Sequence, residues 1–127
     1  MAVLPAVEKP IQLAPADLVW RDAPIAMPPG AQVAVLEGNP QRAGLFTMRA
    51  KFPPGYKLAR HIHEAPERVT VLSGSVRVSF DATTEGRLFE AGSFYVTPPG
   101  VPHAVSTETG AELQLTTMGP WLLQYKP

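Results

Sequence analysis

In the segment Gly55-Tyr56-Lys57-Leu58-Ala59-Arg60-His61-Ile62-His63-Glu64-Ala65-Pro66-Glu67-Arg68-Val69-Thr70-Val71-Leu72-Ser73-Gly74, two strand patterns flank a short polar link. Lys57 to His63 reads as one strand and Arg68 to Ser73 as the next, ending at Gly74. Side chains two apart on a strand share a face. Ala59, His61 and His63 therefore point one way, and Arg60 and Ile62 the other. Glu67 opens the second strand on the face continued by Val69 and Val71, which as apolar residues are expected to point into a core. Two imidazoles and a carboxylate aimed inward need compensation, because unpaired polar groups are costly to bury. A divalent metal would supply it, and this nitrogen and oxygen set suits zinc, iron, manganese, nickel or copper.

Outward from this segment, strand patterns continue in both directions. Gln32 to Glu37 and Leu45 to Phe52 precede it, the latter with Phe46, Met48, Ala50 and Phe52 on one face. Ser75 to Phe80 follows, with Val76, Val78 and Phe80 on one face. Arg87 to Glu90, Ser93 to Thr97, His103 to Thr107, Glu112 to Met118 and Trp121 to Tyr125 complete the set. Short strands at close, even spacing are the pattern of a sandwich, jelly roll or barrel. The 15 prolines and 10 glycines are spread along the chain and oppose a helical bundle.

The 127 residues fit one domain, and 45% hydrophobic content is enough for a core. Residues 1–16, with Pro5, Pro10 and Pro15, read as an extended arm, and residues 17–127 as the β domain. Eleven basic and eleven acidic residues cancel, which argues against a nucleic-acid or polybasic membrane binder. No helix-turn-helix pattern fits, and no uncharged run is long enough to span a bilayer. With no cysteine, disulfides, iron–sulfur clusters and thiol nucleophiles are excluded. The chain does not open on a basic region followed by a long apolar stretch, so a cytoplasmic location is expected; an exported form with its leader removed would read the same.

The third and last histidine, His103, falls into a longer pattern. Gly55, five residues, His61-x-His63, three residues, Glu67, six residues and Gly74 form its first half. After seventeen residues come Gly92, five residues, Pro98-x-Gly100, two residues and His103. This resembles the two signature motifs of the cupin superfamily, with nine fixed positions at the expected spacing. One position departs: Thr107 stands where asparagine is frequent, and that position is not a ligand in the family. Gly119-Pro120-Trp121 is similar to a group of small single-domain bacterial cupins.

The resemblance implies an all-β fold, a single-domain cupin β-barrel or jelly roll. It implies one divalent transition metal (iron, manganese, nickel, zinc, copper or cobalt) held by His61, His63, Glu67 and His103. Gly55, Gly74, Gly92 and Gly100 are expected at turns between strands. Glu64, Arg60 and Arg68 are expected at the surface, and Lys57, on the ligand face, near the mouth of the site. Tyr56, Tyr95, Gln114 and Trp121 are candidates for polar contacts in a pocket.

Open positions on such a metal permit Lewis-acid chemistry, water activation or dioxygen chemistry. The apolar inward set favours an oxygenase acting on a small neutral or aromatic molecule. A metal-dependent lyase or isomerase and a non-catalytic small-molecule binding or sensor module are the alternatives. Family members are often dimers, and Leu58, Ile62 and Leu72, read as outward, need a cover, so a homodimer is expected.

Overall fold

The computed structural model describes residues 7–127. The first six residues of the expected arm lie outside the described residues; residues 7–14 form neither strand nor helix. A three-residue 3-10 turn at Pro15–Asp17 is the one helical element among the described residues. No helix there is long and apolar enough to cross a membrane.

Ten strands follow: β1 Arg21–Asp22, β2 Gln32–Glu37, β3 Gly44–Phe52, β4 Lys57–Ile62, β5 Glu67–Ser79, β6 Arg87–Glu90, β7 Phe94–Thr97, β8 His103–Ser106, β9 Ala111–Gly119 and β10 Gln124–Tyr125. All pairings are antiparallel. Strand β5 organises the fold. Its first half pairs with β9 and β7, extending the sheet β1-β2-β3-β9. Its second half pairs with β8 and β6, extending the sheet that continues through β4 to β10. The two sheets close as a jelly-roll barrel over one core. Phe46, Met48, Val71 and Val76 are fully buried in it.

The continuity of β5 corrects the expectation of two strands parted by a turn at Gly74. Gly74 lies inside β5 with φ +69°, at the point where the strand leaves one sheet for the other. A Cβ there would overlap the carbonyl oxygen of Gly110. The register with β9 shifts between Val71 and Ser73, and the buried positions change parity from Val69 and Val71 to Val76 and Val78. Strands that turn the corner between packed sheets do so through such bends. Gly55, Gly92 and Gly100 do sit in turns, each at positive φ.

A second slip corrects the parity of β4. Its pairing with β8 is irregular between Leu58 and His61. A bulge moves later residues to the opposite face from simple alternation. Leu58, expected outward, is therefore buried, while Lys57 and Ala59, expected on the histidine face, are exposed. Ile62 is half-buried and Leu72 exposed. Phe80, expected in the core, lies beyond the end of β5 and is 42% exposed. The Trp121 to Tyr125 strand shrinks to β10, and β1 was not anticipated.

Candidate metal centre

The site is built from three places in the sequence. His61 and His63 come from the end of β4 and the residue after it, Glu67 from the start of β5, and His103 from the start of β8. His61 and His103 face each other across the β4–β8 ladder. Chain reversals at Gly55 and Gly100 frame these strands: the Gly55 amide bonds Thr107 O and the Gly100 amide bonds His63 O. The second of these ties the loop that delivers His103 directly to His63. Thr107, the departure from the motif, is buried, and its Oγ1 donates to Ser75 O at 2.6 Å. It acts as a strap between strands, outside the histidine cluster.

All three imidazoles are buried, and each Nδ1 lies against a main-chain carbonyl. His61 Nδ1 is 2.6 Å from Ala59 O, His63 Nδ1 is 2.9 Å from Leu122 O, and His103 Nδ1 is 3.0 Å from Val101 O. A carbonyl can only accept, so Nδ1 carries the hydrogen, and in a neutral ring Nε2 keeps its lone pair. Burial, reinforced by the neighbouring imidazoles and opposed by the Ala59 carbonyl, pushes His61 down to about 3. Burial also lowers His103. These two rings are therefore neutral at pH 7. The carbonyl bonds fix tautomer and ring orientation, as the outer partners of metal-bound histidines do.

One ligand atom from each of the three histidines falls within 4.8 Å of the others. The Glu67 carboxylate joins this group from one side, with Oε2 3.4 Å from His63 Nε2. The structure thus gathers the three histidines into one group, and Glu67 lies beside it in contact with His63. An imidazole and a carboxylate face each other there, beside the two neutral rings of His61 and His103. A cation satisfies that arrangement, and the N/O donors present fit a divalent transition metal.

Glu67 has a further partner. Trp121 Nε1 donates to Glu67 Oε2 at 3.0 Å, and the indole lies parallel to the His63 ring, 6.0 Å between centroids and 10° between planes. Tyr95 and Trp121 both line the chamber around the cluster, as expected of them. Burial first, and the Glu67 charge second, raise the Tyr95 phenol, which stays protonated. The two other polar candidates lie elsewhere. Tyr56 OH donates to Pro28 O, and Gln114 accepts from Arg49 Nε on the outer face. Glu64 and Arg68 are exposed, as expected.

The chamber walls are otherwise apolar, with Phe52, Val69, Leu113 and Leu115 among them. Its volume is about 30 Å³, enough for an ion with a water or two. Met27, Leu58 and Val105 close one side. Met27 was missed in the sequence because it stands alone in a proline-rich stretch; Pro24 and Pro28 on either side were the available signal. Its strand-free segment is tied down by Tyr56 OH on Pro28 O and by Tyr125 OH on Ala26 O.

A family model for the cupin domain matches residues 48–119, more than half of the chain. The chain belongs to the cupin family. No curated protein matches this cupin's sequence significantly. Solved structures do match it. The polyketide cyclase RemF from Streptomyces resistomycificus superposes with a TM-score of 0.74 at 16% identity, covering 90% of this cupin and 83% of that chain. An acetylacetone dioxygenase from Acinetobacter johnsonii gives 0.71 at 20% identity, covering 95% and 80%. An RmlC-like cupin from Shewanella frigidimarina NCIMB 400 gives 0.66 at 21%, covering 84% and 87%. At these identities the likeness establishes the shared fold, and the cupin's chemistry has to be read from its own side chains.

Proposed function

We propose that this cupin is a metal-dependent enzyme, an oxygenase acting on a small neutral, enolisable or aromatic molecule. The observation that carries the reading is the buried three-histidine cluster beside Glu67, enclosed by apolar walls. His61, His63, Glu67 and His103 would hold one divalent transition metal: iron, manganese, nickel, zinc, copper or cobalt. When bound, the metal supplies Lewis acidity and, if redox-active, dioxygen chemistry.

The protein's own residues do the rest. The carbonyls of Ala59, Leu122 and Val101 hold the imidazoles in one tautomer. Trp121 fixes one Glu67 oxygen by its N–H, which restricts how the carboxylate turns. Phe52, Val69, Leu113 and Leu115 exclude bulk water and strengthen every polar interaction inside. Among the described residues Glu67 is the one carboxylate lining the chamber and no Lys or Arg lines it, so an apolar neutral molecule fits its walls better than a phosphorylated one. A substrate larger than water needs more than the present space. Met27, an unbranched side chain on the chamber wall, is the residue best suited to yield it.

The relative named as an acetylacetone dioxygenase supports the choice of probe, since acetylacetone is a small 1,3-dicarbonyl. Substrate-dependent oxygen consumption is expected with a 1,3-dicarbonyl or a phenol, and His63→Ala should abolish it. The relative named as a polyketide cyclase favours a second reading, a metal-dependent lyase or isomerase. Turnover that proceeds equally well without oxygen, or fully with zinc, would select that reading. Tight ligand binding without turnover would select a binding module.

We also propose a homodimer. Leu72, Phe94 and Val96 are exposed on the neighbouring strands β5 and β7, where Thr70 pairs with Phe94 and Arg68 with Val96. Apolar side chains grouped in this way mark association surfaces. Light scattering is expected to give the mass of two chains, falling to that of one in Phe94→Asp. A wild-type mass of one chain overturns the proposal.

A further inference from the structure

A groove of about 780 Å³ lies on the outer side of the β4–β8 ladder. Ile25 to Pro29 bound one side, and Ala82, Thr84 and Glu85 of the loop after β5 bound another. Its volume is in the range of small-molecule sites. Met27, Leu58 and Val105 line it as well as the metal chamber, so the two spaces adjoin across these residues.

The charges in this groove are unbalanced. Lys57, Arg60 and Arg77 line it against the single carboxylate of Glu85. Among the described residues neither Arg60 nor Arg77 forms an ion pair. Arg60 is half-buried, and its Nη1 is fully buried with no hydrogen-bond partner. Asp81 stands close enough to feel the Arg60 charge, but its Oδ1 is engaged by the amide and hydroxyl of Thr83. A buried guanidinium nitrogen without an acceptor is costly, and a carboxylate is its best-fitting partner.

We propose that this groove binds a small amphipathic anion. The apolar or aromatic body rests on the exposed Ile25, Pro28 and Ala59, and the carboxylate bonds Arg60. Arg77 and Lys57 add positive charge around it. The site stands on residues outside the histidine cluster and does not depend on the metal reading.

Benzoate and the neutral benzyl alcohol, titrated into full-length protein with and without metal and followed by amide NMR, test this. Benzoate should shift the amides of Ala26, Met27 and Ala104 to Ser106 in both forms. Arg60→Gln should weaken benzoate about ten-fold while leaving benzyl alcohol unchanged. Arg60→Lys should recover part of the loss. Arg77→Gln, a second route if Arg60→Gln fails to fold, should weaken benzoate about three-fold. Loss of benzoate binding on metal removal, or shifts confined to Leu113 and Leu115, would place the carboxylate in the chamber and overturn the proposal. Equal benzoate affinity in wild type and Arg60→Gln, or no saturable shift, would overturn it too.

Discussion

Protein loaded with divalent metal is expected to hold about one ion per chain, and His61→Ala or His103→Ala almost none. Each imidazole is preset for coordination: Nδ1 is tied to a carbonyl, so little ordering cost remains when Nε2 binds. Losing one such ligand removes a donor and leaves a buried gap facing the two remaining rings. Metal affinity should fall by at least about a hundred-fold, since even outer partners of ligands are worth ten- to a hundred-fold. Elemental analysis gives the ratio, and circular dichroism checks that the β fold persists. Wild-type metal content in the double variant His61→Ala, His63→Ala would overturn the assignment. Glu67→Gln preserves shape and the hydrogen bond from Trp121 but removes the charge, so chelator competition should show about ten-fold weaker binding. Unchanged affinity there would remove Glu67 from the ligand set and leave the three histidines.

Gly74→Val is expected to be the most damaging substitution remote from the cluster. Two effects combine at this position. Its φ of +69° disfavours any residue with a Cβ, and a Cβ there would overlap the Gly110 carbonyl. Neither neighbour can yield easily, because Gly74 is paired with Ala111, the residue after Gly110, and the next residue of β5, Ser75, with Glu90 of β6. The cost should be about 3 kcal/mol or more. Gly55→Ala is the control: its φ is +82°, yet a Cβ there meets nothing within 4 Å. It should cost only the backbone strain, about 1–2 kcal/mol. Urea midpoints at constant slope measure both. Equal losses for the two variants would show that overlap at the sheet corner contributes nothing.

The three-histidine cluster and its carboxylate were legible because their signals are local. His61 and His63 share a face by two-residue periodicity, Glu67 begins an apolar inward strand, and the spacing to His103 matches a known motif. The core of β3 was legible for the same reason: Phe46, Met48, Ala50 and Phe52 alternate without interruption and are all buried. Alternation holds only while the strand pairs regularly. Between Leu58 and His61 and between Val71 and Ser73 the pairing slips, so the residues on the two sides of each slip do not follow one alternation. The first slip placed Leu58 in the chamber wall and turned Lys57 and Ala59 outward.

Contacts between distant segments were likewise decided by the tertiary structure. Trp121 meets Glu67 across 54 positions of sequence, and Tyr125 reaches Ala26 across 99. Met27 becomes a shared wall only because the segment between β1 and β2 is drawn over the barrel. Nothing within a few residues of these side chains encodes their partners. The sequence by itself therefore determined which polar residues gather in the buried cluster, through spacing along single strands. Which residues enclose and orient them was settled by strand pairing and barrel closure, where packing between remote segments outweighs local pattern.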